Sequence, residues 1–121
     1  MTNRHPPLRP VVALSALNGF VAVAAGAFGA HGVSDLAQKA LLSTAAHYQL
    51  GAAAAGFALA LLPNQKLASL LVAAGGLIFG VSLDLLAFSG VRVLGAITPI
   101  GGTLMLAGFA MAFFNAFRKI Q

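Results

Sequence analysis

Four apolar runs, at about residues 11–30, 41–62, 67–89 and 94–117, take up most of this chain, and between Val11 and Phe117 only Asp35, Lys39, Lys66, Asp84 and Arg92 carry charge. About 20 apolar residues at about 1.5 Å per residue cross a hydrocarbon core of about 30 Å. The runs therefore predict four membrane-spanning helices. A β-barrel is excluded, because the runs are continuous where barrel strands would alternate. With 121 residues, 60% of them apolar, 7% charged and a mean hydropathy of +0.93, the chain has too few charges to cover a soluble surface. That composition also excludes a disordered chain and a nucleic-acid module.

The breaks between the runs define the topology. Residues 1–10, MTNRHPPLRP, form a basic, proline-rich tail expected at the membrane surface, and residues 11–121 form a single membrane domain. A cleaved secretory leader would carry an apolar core of about 7–15 residues, shorter than the first run. Asp35, Gln38 and Lys39 mark an interfacial helix start with Ser34 at the N-cap, leading into the second run. Pro63-Asn64-Gln65-Lys66 and Gly90-Val91-Arg92 are short turns, so successive helices pack antiparallel. Arg4, Arg9, Lys66, Arg118 and Lys119 fall on one side and Lys39 and Arg92 on the other, which places both termini in the cytoplasm. The expected fold is all-α, an antiparallel four-helix transmembrane bundle.

Lipid gives no hydrophobic drive for helix association, so small residues that let backbones approach must supply the contact. Gly76 and Gly80 form a GxxxG pair. Ala22 with Gly26, Ala25 with Gly29, Ala52 with Gly56 and Gly108 with Ala112 repeat the spacing. These stripes serve either as seams within one chain or as a face for a second copy or another membrane protein.

Asp84 is the one acid within a run, about five residues from the end of the third. An acid at the centre of a span costs about 2.5–3.5 kcal/mol and less near the interface, so Asp84 is expected to face protein, water or a cation. At comparable depth stand His31, His47, Tyr48, Gln49, Ser82, Arg92 and Thr98. They predict one polar cluster in the outer third of the bundle above an almost wholly apolar inner part. Three readings apply: mutual satisfaction that fixes helix register, proton or cation handling, and metal or haem ligation by His31 with His47, for which no ligand-rich motif is present. No metal, cofactor or catalytic residue is assigned. Thr98 and Pro99 read as the N-cap and first residue of the fourth helix proper, the alternative being a break that lines a cavity. The chain has no cysteine, and no GxSxG, Walker, HExxH or GxGxxG pattern occurs, so enzymatic activity is not expected.

Gly26-Ala-Phe-Gly-Ala-His31-Gly32 at the end of the first run, Tyr48-Gln49 in the second and Thr98-Pro99-Ile-Gly-Gly102 in the fourth stand in an order and spacing that resembles the small membrane family called domain of unknown function 423. The resemblance covers nearly the whole chain. It implies four spans in a bacterial inner membrane, no established activity, and His31, Tyr48, Gln49, Thr98 and Pro99 as the positions where a family role would carry over. The chain departs from the pattern in places: Ala52 stands where the family often has a histidine, Asp84 where it has an aromatic phenol, and Gly108-Phe109 where it usually has glycine-tryptophan. Two functions follow as expectations. One is a non-enzymatic accessory or assembly subunit of an inner-membrane complex, in contact with lipid and with another membrane protein or itself, offering Phe109, Phe113, Phe114 and Phe117 as a contact face. The alternative is a small oligomeric transporter or channel that uses Asp84 for proton or cation coupling.

Overall fold

The computed structural model describes residues 8–118 and consists of four helices: α1 (Arg9–His31), α2 (Leu36–Leu61), α3 (Lys66–Ser89) and α4 (Val93–Asn115). Most of the basic tail, including Arg4 and His5, and Lys119 at the other end lie outside the described residues. Three helices, α1, α3 and α4, are long and apolar enough to cross a membrane. The 26 residues of α2 are also long enough, but Gln38, Lys39, Ser43, Thr44, His47 and Gln49 crowd its first half and lower its hydropathy.

Local chemistry sets the helix ends. Asp35, not Ser34, caps α2: its carboxylate accepts from the backbone N–H of Gln38 at 2.8 Å. The longer carboxylate reach, one residue nearer the helix, wins over the serine hydroxyl. α3 ends at Gly90, which takes the left-handed conformation (φ +71°) and donates its N–H to Leu86. The fourth helix begins at Val93, so Thr98 and Pro99 are not its cap and first residue but lie inside it. Pro99 lacks an N–H and leaves the Gly95 carbonyl without its helical donor. The Thr98 hydroxyl lies 3.2 Å from the Leu94 carbonyl and ties the same turn from its side chain. At its other end α4 stops at Asn115, two residues short of the expected boundary.

The arrangement is asymmetric. α3 is the central element, packed against α1, α2 and α4, whereas α4 rests along α3. The buried face of α1 reads Val11, Ser15, Asn18, Ala22 and Gly29, a three-to-four-residue spacing of small and polar side chains. Phe20, Val23 and Phe28 point outward. This is the reverse of a soluble amphipathic helix and suits a lipid surround, where large apolar side chains face the tails and small ones face the neighbouring helix.

Glycines form the seams. A Cβ on Gly76 would overlap Ala52, one on Gly80 the Gln49 amide, and one on Gly56 the Ser15 hydroxyl. A Cβ on Gly29 would sit 3.0 Å from the Leu42 Cβ, one on Gly26 3.3 Å from the Ala46 Cβ, and one on Gly108 2.6 Å from the Val72 Cγ2, all closer than ordinary contact. All six glycines singled out in the sequence thus lie against another helix of the same chain. The tightest backbone approach involves a pair the spacing did not single out, Gly75 on α3 and Gly101 on α4. A Cβ on Gly75 would sit 2.7 Å from the Gly101 carbonyl oxygen.

Candidate functional site

The polar residues do not gather in one outer cluster. They separate into four places, and the central one lies near the midpoints of the helices, where the sequence predicts an apolar interior.

That centre joins three helices. Gln49 of α2 donates its side-chain amide to the Asn18 side-chain oxygen at 2.9 Å, and Asn18 of α1 donates to the Ala73 carbonyl of α3 at 2.9 Å. Both amides are fully buried. Gly80 makes room for the Gln49 amide, and Gly76 lies against Ala52 and Asn18. Asn18 is absent from the residues picked out by sequence. The available signal was its position as the sole amide in the first run, on the same face as Ser15 and Ala22.

A second place pairs α3 with α4. The Ser82 and Thr98 hydroxyls lie 2.6 Å apart, with Phe79 O 3.0 Å from Ser82 and Leu94 O 3.2 Å from Thr98. Whichever hydroxyl donates across the pair, the other reaches a backbone carbonyl, so the proton count closes.

Asp84 is the third. It is 9% exposed, and its Oδ1 has no hydrogen-bond partner among the described residues. Four residues after Gly80, it continues the α3 face that meets α2. The contacts on either side, Gly80 with Gln49 and the Ala87 carbonyl with the Gln38 amide, bracket it against the α2 stretch that holds the buried Leu42 and Ala45. The expected partners are elsewhere: His31 ends α1 exposed, Arg92 is exposed in the α3–α4 turn, and His47 points outward from α2. The reason is rotational, because His47 falls about 160° around the helix from the buried Ala45, at about 100° per residue.

His47 belongs to the fourth place, an outward groove between α1 and α2 that it lines with Lys39 and Ser43. Its Nδ1 lies 2.7 Å from the Ser43 carbonyl. A carbonyl only accepts, so Nδ1 carries the proton and Nε2 remains free. Tyr48 is exposed, with its ring 5.2 Å from that of Phe79. Among the described residues no three His, Asp or Glu side chains are grouped as a metal site would need.

A further amide set holds the other end of the molecule. Gln65, buried in the α2–α3 turn, donates to the Ala112 carbonyl at 3.1 Å, and Asn115 donates to the Asn64 carbonyl at 3.1 Å. The short turn between the second and third runs is thus also the anchor for the end of α4, which its length alone did not reveal.

Known proteins are similar to this sequence. The family described as "Protein of unknown function (DUF423)" matches residues 25–102. A UPF0382 membrane protein of Haemophilus influenzae is 41% identical over 114 residues, covering 88% of this chain and 92% of the relative. The UPF0382 inner membrane protein YgdD of Escherichia coli K12 is 33% identical over 119 residues, covering 91% of each. A UPF0382 membrane protein of Staphylococcus saprophyticus is 34% identical over 119 residues, covering 92% of this chain and 99% of the relative. No solved structure matches. With its apolar helices and these relatives, the chain is a multi-pass protein of the bacterial inner membrane, and it belongs to the DUF423 family of unknown function.

Proposed function

We propose that this chain is a four-span, non-enzymatic accessory or assembly subunit of an inner-membrane complex, with both termini in the cytoplasm and α4 as its docking element. The observation that carries this reading is the position of α4. It rests on α3 through Gly101, Met105 and Gly108, while Ile100, Leu106, Phe113 and Phe114 are exposed on its other faces and Phe117 is exposed just past its end. Inside the bundle the Asn18–Gln49 relay and the Ser82–Thr98 hydroxyl pair join helices of this same chain, while the Ser15 Oγ and Gln49 Oε1 are buried without a partner among the described residues, so the outer surface is what the chain offers another protein. Support for the fourth span comes from α2 itself: at 26 residues it is about 39 Å long, and it packs against both α1 and α3. Support for the orientation comes from the distribution of cations.

Extraction at native expression level into nanodiscs, with mass spectrometry of every co-migrating chain, tests the reading. A stoichiometric larger partner is expected, released by Phe113→Ala with Phe117→Ala. Migration as a lone chain overturns it.

Asp84 favours a second reading, an oligomeric transporter or channel, because its unpartnered Oδ1 is the kind of group a coupling cation or proton would engage. Under that reading Asp84→Asn abolishes substrate-dependent proton movement in liposomes with folding intact. Unchanged flux removes Asp84 from any coupling role.

A further inference from the structure

The outward groove between α1 and α2 has a volume of about 430 Å³, within the range of about 300–1,000 Å³ typical of ligand sites. Gly26, Gly29 and Ala46 keep its floor flat, and Lys39, Ser43 and His47 succeed one another along one wall. From Lys39 to Leu50, the ends of the groove on α2, the rise is about 16 Å at about 1.5 Å per residue. That is about half of a hydrocarbon core of about 30 Å, the depth of one leaflet.

We infer that this groove is a binding site for one anionic phospholipid, with Lys39 on the phosphate, the Ser43 hydroxyl toward the ester region one turn deeper, and an acyl chain on the glycine floor. Charge complementarity selects this occupant. The lining carries Lys39 and His47 and no acid. Among the described residues the Lys39 ammonium makes only a long 3.4 Å contact with the Ala30 carbonyl, leaving donors for a phosphate. The carboxylate side chains of a second copy are Asp35, engaged as the cap of α2, and the buried Asp84. The Ser43 hydroxyl is 3.4 Å from the His47 Nδ1, which is already protonated toward the Ser43 carbonyl, so the hydroxyl hydrogen is available to an ester oxygen. The inference rests on α2 lying at membrane depth and is independent of any partner complex.

Native mass spectrometry of the full chain in detergent tests it, with phosphatidylglycerol and phosphatidylcholine of equal chain length as probes. One phosphatidylglycerol per chain is expected, favoured about fivefold over phosphatidylcholine, as one lysine near an anionic headgroup supplies. Lys39→Gln removes the preference, Lys39→Arg restores it, and Lys66→Gln at the far end of the bundle leaves it intact. Equal retention of the two lipids by the unaltered chain, or an undiminished preference in Lys39→Gln, overturns the assignment. So does quantitative disulfide dimerisation of Ser43→Cys, the only thiol the chain would then have, in vesicles containing phosphatidylglycerol, because it would show a second copy seated in the groove. Co-migration with a partner complex is read in a separate experiment and does not bear on these outcomes.

Discussion

Gln49 and Asn18 face each other across the middle of the bundle, amide nitrogen to amide oxygen at 2.9 Å, and Asn18 passes the connection to the Ala73 carbonyl on α3. Three helices are thereby tied by two side chains. In lipid, apolar packing has no directional preference between helix faces, so a buried amide relay is a means of fixing rotation and depth together. A one-residue slip of α1 would turn Asn18 by about 100° and leave the Gln49 amide facing apolar neighbours.

A double-mutant cycle measures that relay. Asn18→Ala and Gln49→Leu each lower the stability of the bundle, and their coupling should be about 0.6 kcal/mol and at most about 1.7 kcal/mol, the range found for interhelical hydrogen bonds in membranes. The checking measurement is loss of helical circular dichroism on titration with a denaturing detergent. Additivity within about 0.3 kcal/mol would mean that the two amides act independently.

Gly80→Ala puts a methyl group into the Gln49 amide, and Gly76→Leu drives a side chain into Ala52 between α2 and α3. Overpacking of this kind costs about 1–3 kcal/mol. Both variants should lose stability as isolated chains, before any partner is considered. Gly51→Ala is the control, because nothing lies within 4 Å of the added Cβ and alanine favours the helix by about 0.5–1 kcal/mol. Full stability of Gly76→Leu in detergent, combined with loss of a co-purifying chain, would instead make this glycine pair an external docking face.

Asp84→Asn should raise the stability of the bundle. The carboxylate oxygen Oδ1 has no partner among the described residues, and Asp84 is only 9% exposed. The gain should be about 1–2 kcal/mol, below the cost of an acid at the centre of a span because Asp84 lies near the helix end. Denaturing-detergent midpoints in nanodisc-derived samples read the sign directly. A destabilised Asp84→Asn would show that the carboxylate is held by a favourable contact.

Much of the fold was legible because apolar run length and turn chemistry are local properties. The four helices, the Gly90 stop and the small-residue seams at Gly26, Gly76 and Gly108 follow from residues read in order. The grouping of polar side chains was not legible. Depth along a helix can be counted from its ends, but contact also needs rotation, and rotation depends on which neighbour each face meets. His47 and Gln49 are two residues apart at nearly the same depth, yet Gln49 is buried against Asn18 and His47 faces outward. Asn18 leaves no mark on the pattern, because one amide in a long apolar run changes little of its hydropathy and nothing of its length. Pro99 is ambiguous for a related reason: a proline favours the first helical turn but also occurs inside a helix, where it leaves one carbonyl, here that of Gly95, without its donor.

Gly101→Ala should release α4 from α3 more completely than Asn115→Ala does. The glycine faces backbone, not a side chain that can rotate away: a Cβ there would overlap the Phe79 amide nitrogen and lie 2.6 Å from the Gly75 carbonyl oxygen. Relief requires the two helix axes to separate, which also opens the Ser82–Thr98 hydroxyl pair and strains the Asn115 contact with Asn64 at the far end. Asn115→Ala alone removes that last contact and should cost only about 1 kcal/mol, the usual worth of one neutral hydrogen bond. Cysteines placed together at Leu86 and Gly95, where the Leu86 Cδ2 lies 3.6 Å from a Cβ built on Gly95, report the proximity of the helices through cross-linking with a short thiol-bridging reagent. Cross-linking should persist in Asn115→Ala and fail in Gly101→Ala. Equal cross-linking in both would mean that α4 is held by contacts other than the Gly75–Gly101 backbone approach.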